Sequence, residues 1–335
     1  MASADRLPVS LNSHEDGPSE PDAHSPPHQE RWRDRLWLHV VLFLLTVLST
    51  TVVGMRYMEN FLTDQVPLSS DADVFPYAWV WHHRAAFATG LPFSLTVLAI
   101  LVAHEFGHFF SCRLYKVQVT LPYFLPAPTL SGTAGAILRI RGRVRTRSAM
   151  AVIAAAGPIA GFLVAIIAVA VGLVLSKSTP APVPQVIQFQ PLLLHLVDAL
   201  LRVFRPETAA LDRIIPHPVL VASWVGLLIT SLNLVPAGQL DGGHILYALY
   251  PRAHRATSFV TIVLLAILGT FAWVGWFAWA IVLVIPGLKH PRLKEDPPLH
   301  PWQRALLPIC LVILILSGTL SPFAGTSLLQ IVTHH

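Results

Sequence analysis

Long apolar blocks separated by short polar segments dominate the chain from residue 36 onward. A block of about 20 apolar residues has the length of a helix that crosses a bilayer. The pattern predicts an all-α polytopic membrane protein. We place seven membrane-spanning helices at 36–55, 91–114, 149–175, 218–237, 256–271, 273–288 and 305–322.

The fifth and sixth blocks are nearly continuous. As one helix, residues 256–288 would be about 50 Å long at 1.5 Å per residue, beyond a hydrocarbon core of about 30 Å. We therefore predict a helical hairpin that turns near Trp273–Trp276. With a cytoplasmic N-terminus, this hairpin leaves 17 of the 23 Lys and Arg residues on the cytoplasmic side. We expect a multi-pass protein of the cytoplasmic membrane, with its N-terminus inside the cell.

The two ends of the chain differ from the apolar middle. Residues 1–34 are rich in Ser, Pro, His and acidic residues, which predicts a disordered cytoplasmic tail. Residues 35–325 form one predicted membrane domain, and 326–335 form a C-terminal tail. In the largest external loop, 191–204 is apolar with a polar stripe, which predicts a helix that lies in the membrane interface.

Composition agrees with the membrane assignment, since 54% of residues are hydrophobic and 12% are charged. Soluble domains have about 45–50% and about 25%. The net charge of +5 is small and dispersed, so no nucleic-acid partner is expected. Cys112 and Cys310 lie in or beside apolar blocks, which excludes a disulfide framework and a Cys-rich metal site. A metal ion would need histidines and carboxylates.

The second predicted span contains the run His-Glu-Phe-Gly-His from His104 to His108. On a helix, a spacing of four places both imidazoles on one face, where they can bind one zinc ion. Glu105 lies beside them, where its carboxylate can take a proton from a water that the metal activates. Ionisable groups inside a span cost about 2.5 kcal/mol or more without a partner, and a bound cation supplies one. The pattern indicates metal-assisted peptide hydrolysis.

The fourth predicted span ends in a polar run that begins at Asn233. Pro236, Gly238 and the two glycines after Asp241 would unwind the helix end. Irregular backbone at membrane depth is tolerated where it lines a watery cavity. A catalytic zinc has three protein ligands and one open position, and Asp241 can supply the third ligand. By itself, Asp-Gly-Gly usually marks a turn.

Together and in this order, the two motifs resemble the site-2 protease family of intramembrane zinc metalloproteases. The run Gly-Pro-Ile-Ala-Gly at 157–161 is similar to the family's small-residue motif, which allows close helix packing. The resemblance covers about residues 90–290, the predicted catalytic core of an intramembrane metalloprotease domain at 35–325. Many members carry Pro where this chain has Gly238, so the local backbone there is left open.

The resemblance implies a role for each matching residue. His104, His108 and Asp241 are the implied ligands of one Zn²⁺ per chain, which would lie between the second and fourth predicted helices. Glu105 is the implied catalytic base, and Asn233 is an implied catalytic-site residue near the substrate. The substrates would be transmembrane segments of proteins in the lipid bilayer. The chain is most similar to the chloroplast and bacterial type without PDZ and CBS domains, so substrate selection would come from the membrane core or from adaptor proteins.

From Arg139 to Arg147, arginine occupies every second position. Period two predicts a β-strand, and the resemblance implies a small membrane-associated β-hairpin whose free edge pairs with an extended substrate. The alternative is a topology determinant, in which each Arg contributes about 1 kcal/mol by attracting anionic headgroups. The two interpretations are compatible.

The main alternative function is a divalent-metal transporter that uses the same His and Asp residues. Transport offers no reason for a base at Glu105. It also favours repeated halves, and neither motif has a second copy in the sequence. A catalytically silent membrane scaffold is disfavoured because the ligands and the base are all present.

Overall fold

The computed structural model describes residues 35–68, 70, 73, 75–142, 144–183, 190–205, 209–285, 298–323 and 326–333. The predicted tail at 1–34 lies outside the described residues. The described residues from Leu36 onward form one compact unit.

Helices dominate the described chain. In order they are α1 (Leu36–Leu62), α2 (Tyr77–His82), α3 (Leu91–Leu114), α4 (Arg147–Leu175), α5 (Leu192–Phe204), α6 (Pro218–Asn233), α7 (Asp241–Leu249), α8 (Pro251–Phe271), α9 (Gly275–Val284), α10 (Pro301–Arg304), α11 (Leu306–Ser317) and α12 (Leu328–Thr333). Between α3 and α4, strands β1 (Tyr123–Pro126) and β2 (Thr133–Ile137) form an antiparallel hairpin. Strand β3 (Lys177–Ser178) pairs with β4 (Ile214–Ile215).

Four helical segments of the described chain are long and apolar enough to cross a membrane. They are Leu36–Leu62, Arg84–Leu114, Arg147–Leu175 and Pro251–Phe271. The other three predicted spans overlap shorter apolar helices, at Pro218–Asn233, Gly275–Val284 and Pro301–Ser317. The helical membrane-protein class is therefore confirmed, with four candidate spans by length.

The predicted helical hairpin is confirmed, because α8 ends at Phe271 and α9 begins at Gly275. Its turn lies at residues 272–274, close to the predicted position. Helix α6 is shorter than its predicted span because the chain leaves the helix after Asn233, and Gly238 then adopts a positive φ of 58°.

The strand predicted at 139–147 is wrong. Strand β2 ends at Ile137, and the following segment makes one isolated bridge, between Val119 and Ile140, among its described residues. Helix α4 begins at Arg147, where the Thr146 side chain accepts a hydrogen bond from the Ala149 amide at 3.1 Å. The alternation at 139–145 places Arg139, Arg141 and Arg145 in exposed positions, but a strand also needs a neighbouring strand with which its backbone can pair. That partner, β1, faces the small residues just before the arginine run.

The predicted interfacial helix is observed as α5, which confirms its helical structure. Leu193, Leu194 and Val197 are buried, whereas Leu196 and Leu200 are exposed. On its polar stripe, the Arg202 Nε donates to the Asp198 Oδ2 at 2.8 Å.

Candidate active site

Helix α3 carries the two histidines of the His-Glu-x-x-His motif. Their rings lie on one face, and the Nε2 atoms of His104 and His108 are 3.2 Å apart. His104 and Glu105 are buried within the span, with 4% and 6% of their surface exposed. The predicted spacing therefore brings two metal-binding nitrogens together in an apolar helix.

Asp241 reaches the same point from the opposite side of the site. It is the first residue of α7, after the irregular segment that follows α6. Its Oδ2 lies 3.4 Å from the His104 Nε2 and 3.3 Å from the His108 Nε2. One ligand atom from each of the three side chains lies within 4.8 Å of the others. In the sequence, Asp241 is 133 or more positions from the two histidines, yet the three side chains converge on one point.

The spacing of these donors fits a metal ion. Three donors at about 2.0–2.1 Å from a tetrahedral zinc lie about 3.3–3.4 Å from one another. The three observed separations are 3.2, 3.3 and 3.4 Å. Two imidazoles and one carboxylate are also a donor set that catalytic zinc sites use, with the fourth position left open. His104, His108 and Asp241 therefore form a group that could hold zinc.

Helix α4 orients one of the histidines. The His108 Nδ1 donates to the Ile153 carbonyl oxygen at 2.8 Å. With its proton on Nδ1, the ring presents the lone pair of Nε2 to the site, as in other metal centres whose histidines bond to backbone carbonyls. The sequence contains no signal for this contact, because it depends on how α3 packs on α4.

The small-residue run on α4 makes this packing possible. A Cβ atom added at Gly157 would lie 2.1 Å from the His108 Nε2, much closer than a nonbonded contact allows. A Cβ atom at Gly161 would lie 3.2 Å from the His104 Cβ. The sequence predicts close helix packing at 157–161, and the structure adds that His108, one of the candidate metal ligands, packs there.

A cavity of about 410 Å³ adjoins the three side chains. Glu105 and Asn233 line it, so the predicted base and the predicted substrate-facing amide share one space with the metal-binding group. Gln239 and His244, which no motif indicated as site residues, line it as well. A cavity of this size accommodates several residues of an extended peptide.

Strand β2 forms part of the cavity wall through Ala136 and Ile137. It pairs with β1, which packs on α1: the rings of His39 and Tyr123 are 4.0 Å apart, and those of Phe43 and Phe124 are 5.1 Å apart. The hairpin thus places the end of β2 beside the candidate site. The run Thr-Ala-Gly-Ala-Ile lacks the apolar alternation of a half-buried strand, so its sequence does not predict a strand.

Comparison with known proteins places this site in a family. A sequence profile of peptidase family M50 matches residues 92–273. The probable zinc metalloprotease EGY1, chloroplastic, of Arabidopsis thaliana is 30% identical over 295 residues, which are 84% of this chain and 53% of the relative. Its counterpart in Oryza sativa subsp. japonica is 30% identical over 304 residues, which are 84% of this chain and 50% of the relative.

A shorter match joins the chain to the probable zinc metalloprotease EGY2, chloroplastic, of Oryza sativa subsp. indica. The two are 31% identical over 183 residues, which are 53% of this chain and 32% of the relative. The chain spans about half the length of the EGY1 proteins that it matches. The profile match includes both motifs and the small-residue run, which confirms the resemblance. The chain belongs to peptidase family M50.

Proposed function

We propose that the chain is an intramembrane zinc endopeptidase that hydrolyses peptide bonds in transmembrane segments of other membrane proteins. One observation carries this proposal. The donor atoms of His104, His108 and Asp241 lie 3.2–3.4 Å apart, and the two histidines are on a helix of membrane-spanning length. The relatives named as probable zinc metalloproteases support zinc as the metal. The three donors form one group, which would hold one ion per chain.

The five candidate site residues have three different roles in this reaction. When bound, a zinc ion polarises a carbonyl oxygen and lowers the pKa of a water molecule. The Glu105 carboxylate accepts a proton from the attacking water and then delivers it to the nitrogen of the leaving amine. The Asn233 side chain offers both a donor and an acceptor to the substrate backbone. Asp241 and the two histidines hold the metal, so Glu105 remains available for proton transfer.

A substrate helix has to unwind before its carbonyl groups can reach the site. Its unwound segment can pair with the edge of β2 that faces the cavity, through backbone hydrogen bonds. Among the described residues, β2 belongs to a two-stranded sheet with β1, so one of its two edges has no partner strand there. Recognition by backbone pairing predicts loose sequence preference. Substrate choice would then depend on the membrane-embedded helix or on adaptor proteins.

We further propose seven spans in the cytoplasmic membrane, with the N-terminus inside. Each of the three shorter apolar helices overlaps a predicted span, and the irregular segment after α6 lines the cavity, where non-helical backbone is tolerated at membrane depth. The distribution of 17 of the 23 basic residues supports this orientation. With this topology, α3 runs inward, and His108 lies six residues before its end at Leu114, about 9 Å at 1.5 Å per residue. Cleavage would occur in the cytoplasmic half of the bilayer.

The test compares zinc content, peptide cleavage and metal transport in proteoliposomes. We expect wild-type protein to carry about one zinc ion per chain, and Asp241→Ala to lose most of it, because two histidines alone bind zinc weakly. Glu105→Gln should keep the metal and lose at least about 100-fold in cleavage, since general-base catalysis contributes about 10²–10⁴-fold. Asp198→Ala is the matched control, because Asp198 is also buried but lies on α5.

Undiminished zinc in Asp241→Ala would contradict the assignment of the third ligand. Wild-type cleavage by Glu105→Gln would contradict the assignment of the base. If the protein instead carries zinc across the liposome membrane and cuts no substrate, it is a divalent-metal transporter.

A further inference from the structure

The segment that precedes Asp241, between α6 and α7, is bound by α8, a helix that carries none of the family motifs. Between the end of α6 and the start of α7, Gly238 has a φ of 58°, in the left-handed region that favours glycine. Its backbone N–H donates to the Ser258 Oγ at 3.0 Å. Its carbonyl oxygen accepts a hydrogen bond from the His254 Nε2, also at 3.0 Å. Both polar groups of the Gly238 backbone are therefore paired with side chains of α8.

The positions of the two side chains on α8 allow them to bind Gly238 together. His254 and Ser258 are four residues apart and lie on one face of α8, and both are buried, at 3% and 0% exposure. The Ser258 hydroxyl donates to the His254 carbonyl oxygen at 2.8 Å, which leaves its oxygen free to accept the Gly238 N–H. The Tyr247 ring of α7 lies edge-on to the His254 ring, with centroids 5.5 Å apart. The pair therefore meets Gly238 in one defined geometry.

Backbone contacts connect Gly238 to the metal-binding carboxylate. A Cβ atom at Gly243 would lie 2.5 Å from the Gly238 carbonyl oxygen. A Cβ atom at Gly242 would lie 2.1 Å from the Leu234 carbonyl oxygen. The first turn of α7 thus rests directly on the segment that α8 holds. Because this contact leaves no room for a Cβ atom, a displacement of Gly238 presses on the first turn of α7, which begins at Asp241.

We propose that His254 and Ser258 are positioning residues that set the distance of Asp241 from the two histidines of α3. This inference rests on the proposed zinc site. It also explains how the chain functions with Gly238 where many site-2 proteases carry proline. Proline restrains the backbone covalently but has no N–H group, whereas Gly238 obtains its restraint from two hydrogen bonds to α8.

The test measures how firmly zinc is held, by titrating the purified full chain with a chelator and following the metal remaining on the protein. Outer partners of metal ligands typically change metal affinity by about 10–100-fold. We expect Ser258→Ala to release zinc at a chelator concentration at least about tenfold lower than wild type. Ser223→Ala is the matched control, because Ser223 is equally buried but donates within its own helix, to the Leu220 carbonyl.

A second pair of variants separates the hydrogen bond from packing. His254→Leu should weaken zinc retention to the same extent as Ser258→Ala, whereas His254→Gln, which keeps a donor near the Nε2 position, should stay within about twofold of wild type. Equal retention by Ser258→Ala and Ser223→Ala would overturn the inference. Equal weakening by His254→Leu and His254→Gln would overturn it as well.

Amide hydrogen exchange tests the contact without any metal. In zinc-free protein, the peptide that covers 237–243 should exchange faster in Ser258→Ala than in Ser223→Ala, because the Gly238 N–H loses its acceptor. Unchanged exchange would refute the positioning role by itself. Absence of zinc from the wild-type protein would instead refute the proposed function, and the inference with it.

Discussion

At the scale of single residues, the site depends on the distances between three donor atoms. The three donor atoms of His104, His108 and Asp241 lie 3.2–3.4 Å apart, which is the spacing of ligands around one tetrahedral ion. The helix that packs on the two histidines has glycines at the contact, and these differ in how much room they leave for a side chain. The clearest case is Gly157, whose α-carbon faces the ring of His108.

Gly157→Ala should therefore displace the His108 ring and with it the metal. The added Cβ would lie 2.1 Å from the His108 Nε2, and overpacking of this kind costs about 1–3 kcal/mol of stability. We expect strong loss of bound zinc and of cleavage, measured as zinc per chain and as product formed. Gly161→Ala is the control on the same helix, since its Cβ would lie 3.2 Å from the nearest atom and needs only a small adjustment. Equal zinc content in the two variants would contradict this account.

Much of this constellation could be predicted from the sequence, for a physical reason. The separation of His104 and His108 follows from helix geometry alone, so the His-Glu-x-x-His run predicts their convergence once a helix is assumed. The prediction of Asp241 as the third ligand rested on the irregular segment around it and on the family resemblance. The Ile153 carbonyl that holds the His108 ring could not be predicted, because any backbone carbonyl has the same chemistry. Only the packing of α3 on α4 selects it.

At the scale of whole elements, helices were predicted well and strands were not. A helix of membrane-spanning length is predicted by a long run of apolar residues. Each of the seven predicted segments contains a helix. The hairpin has two strands of four and five residues, and its pairing joins β1 to residues across a turn. Such pairing leaves little local signal. Of the alternating arginines, Arg139, Arg141 and Arg145 are exposed after β2, and Arg147 begins α4.

The corrected hairpin changes where the substrate should bind. Ile137 is 57% exposed at the end of β2 and lines the cavity, so a photo-reactive residue there should cross-link to an unwound substrate. We expect the cross-link in Glu105→Gln protein, in which bound substrate accumulates uncut. Leu163 on α4 is also 57% exposed and provides the matched control position. Equal yields at the two positions would indicate contact by diffusion in the membrane, and would contradict pairing at β2.

At the scale of the whole molecule, the orientation of the chain decides which half of the bilayer contains the site. The proposed N-terminus inside places the arginine segment before α4 in the cytoplasm and the segment after α4 outside. The native cysteines Cys112 and Cys310 are both buried, so introduced cysteines report their own positions.

Arg139→Cys and Ala181→Cys should therefore react from opposite sides. In sealed cells, we expect a membrane-impermeant thiol reagent to label Ala181→Cys and not Arg139→Cys, because only the former faces outward. Permeabilised cells are the control, in which both positions should label since both residues are exposed. The reverse pattern would invert the orientation and move cleavage to the external half of the bilayer.

The most direct test of the central claim is the mass of the products when purified protein cuts a membrane substrate in ¹⁸O-labelled water. Hydrolysis through Glu105 and the metal-binding group predicts a cut inside the substrate's apolar segment and at least one ¹⁸O atom in the new C-terminal carboxyl group. Glu105→Gln should leave the substrate essentially uncut. A cut confined to water-exposed segments, or products without ¹⁸O, would contradict the account.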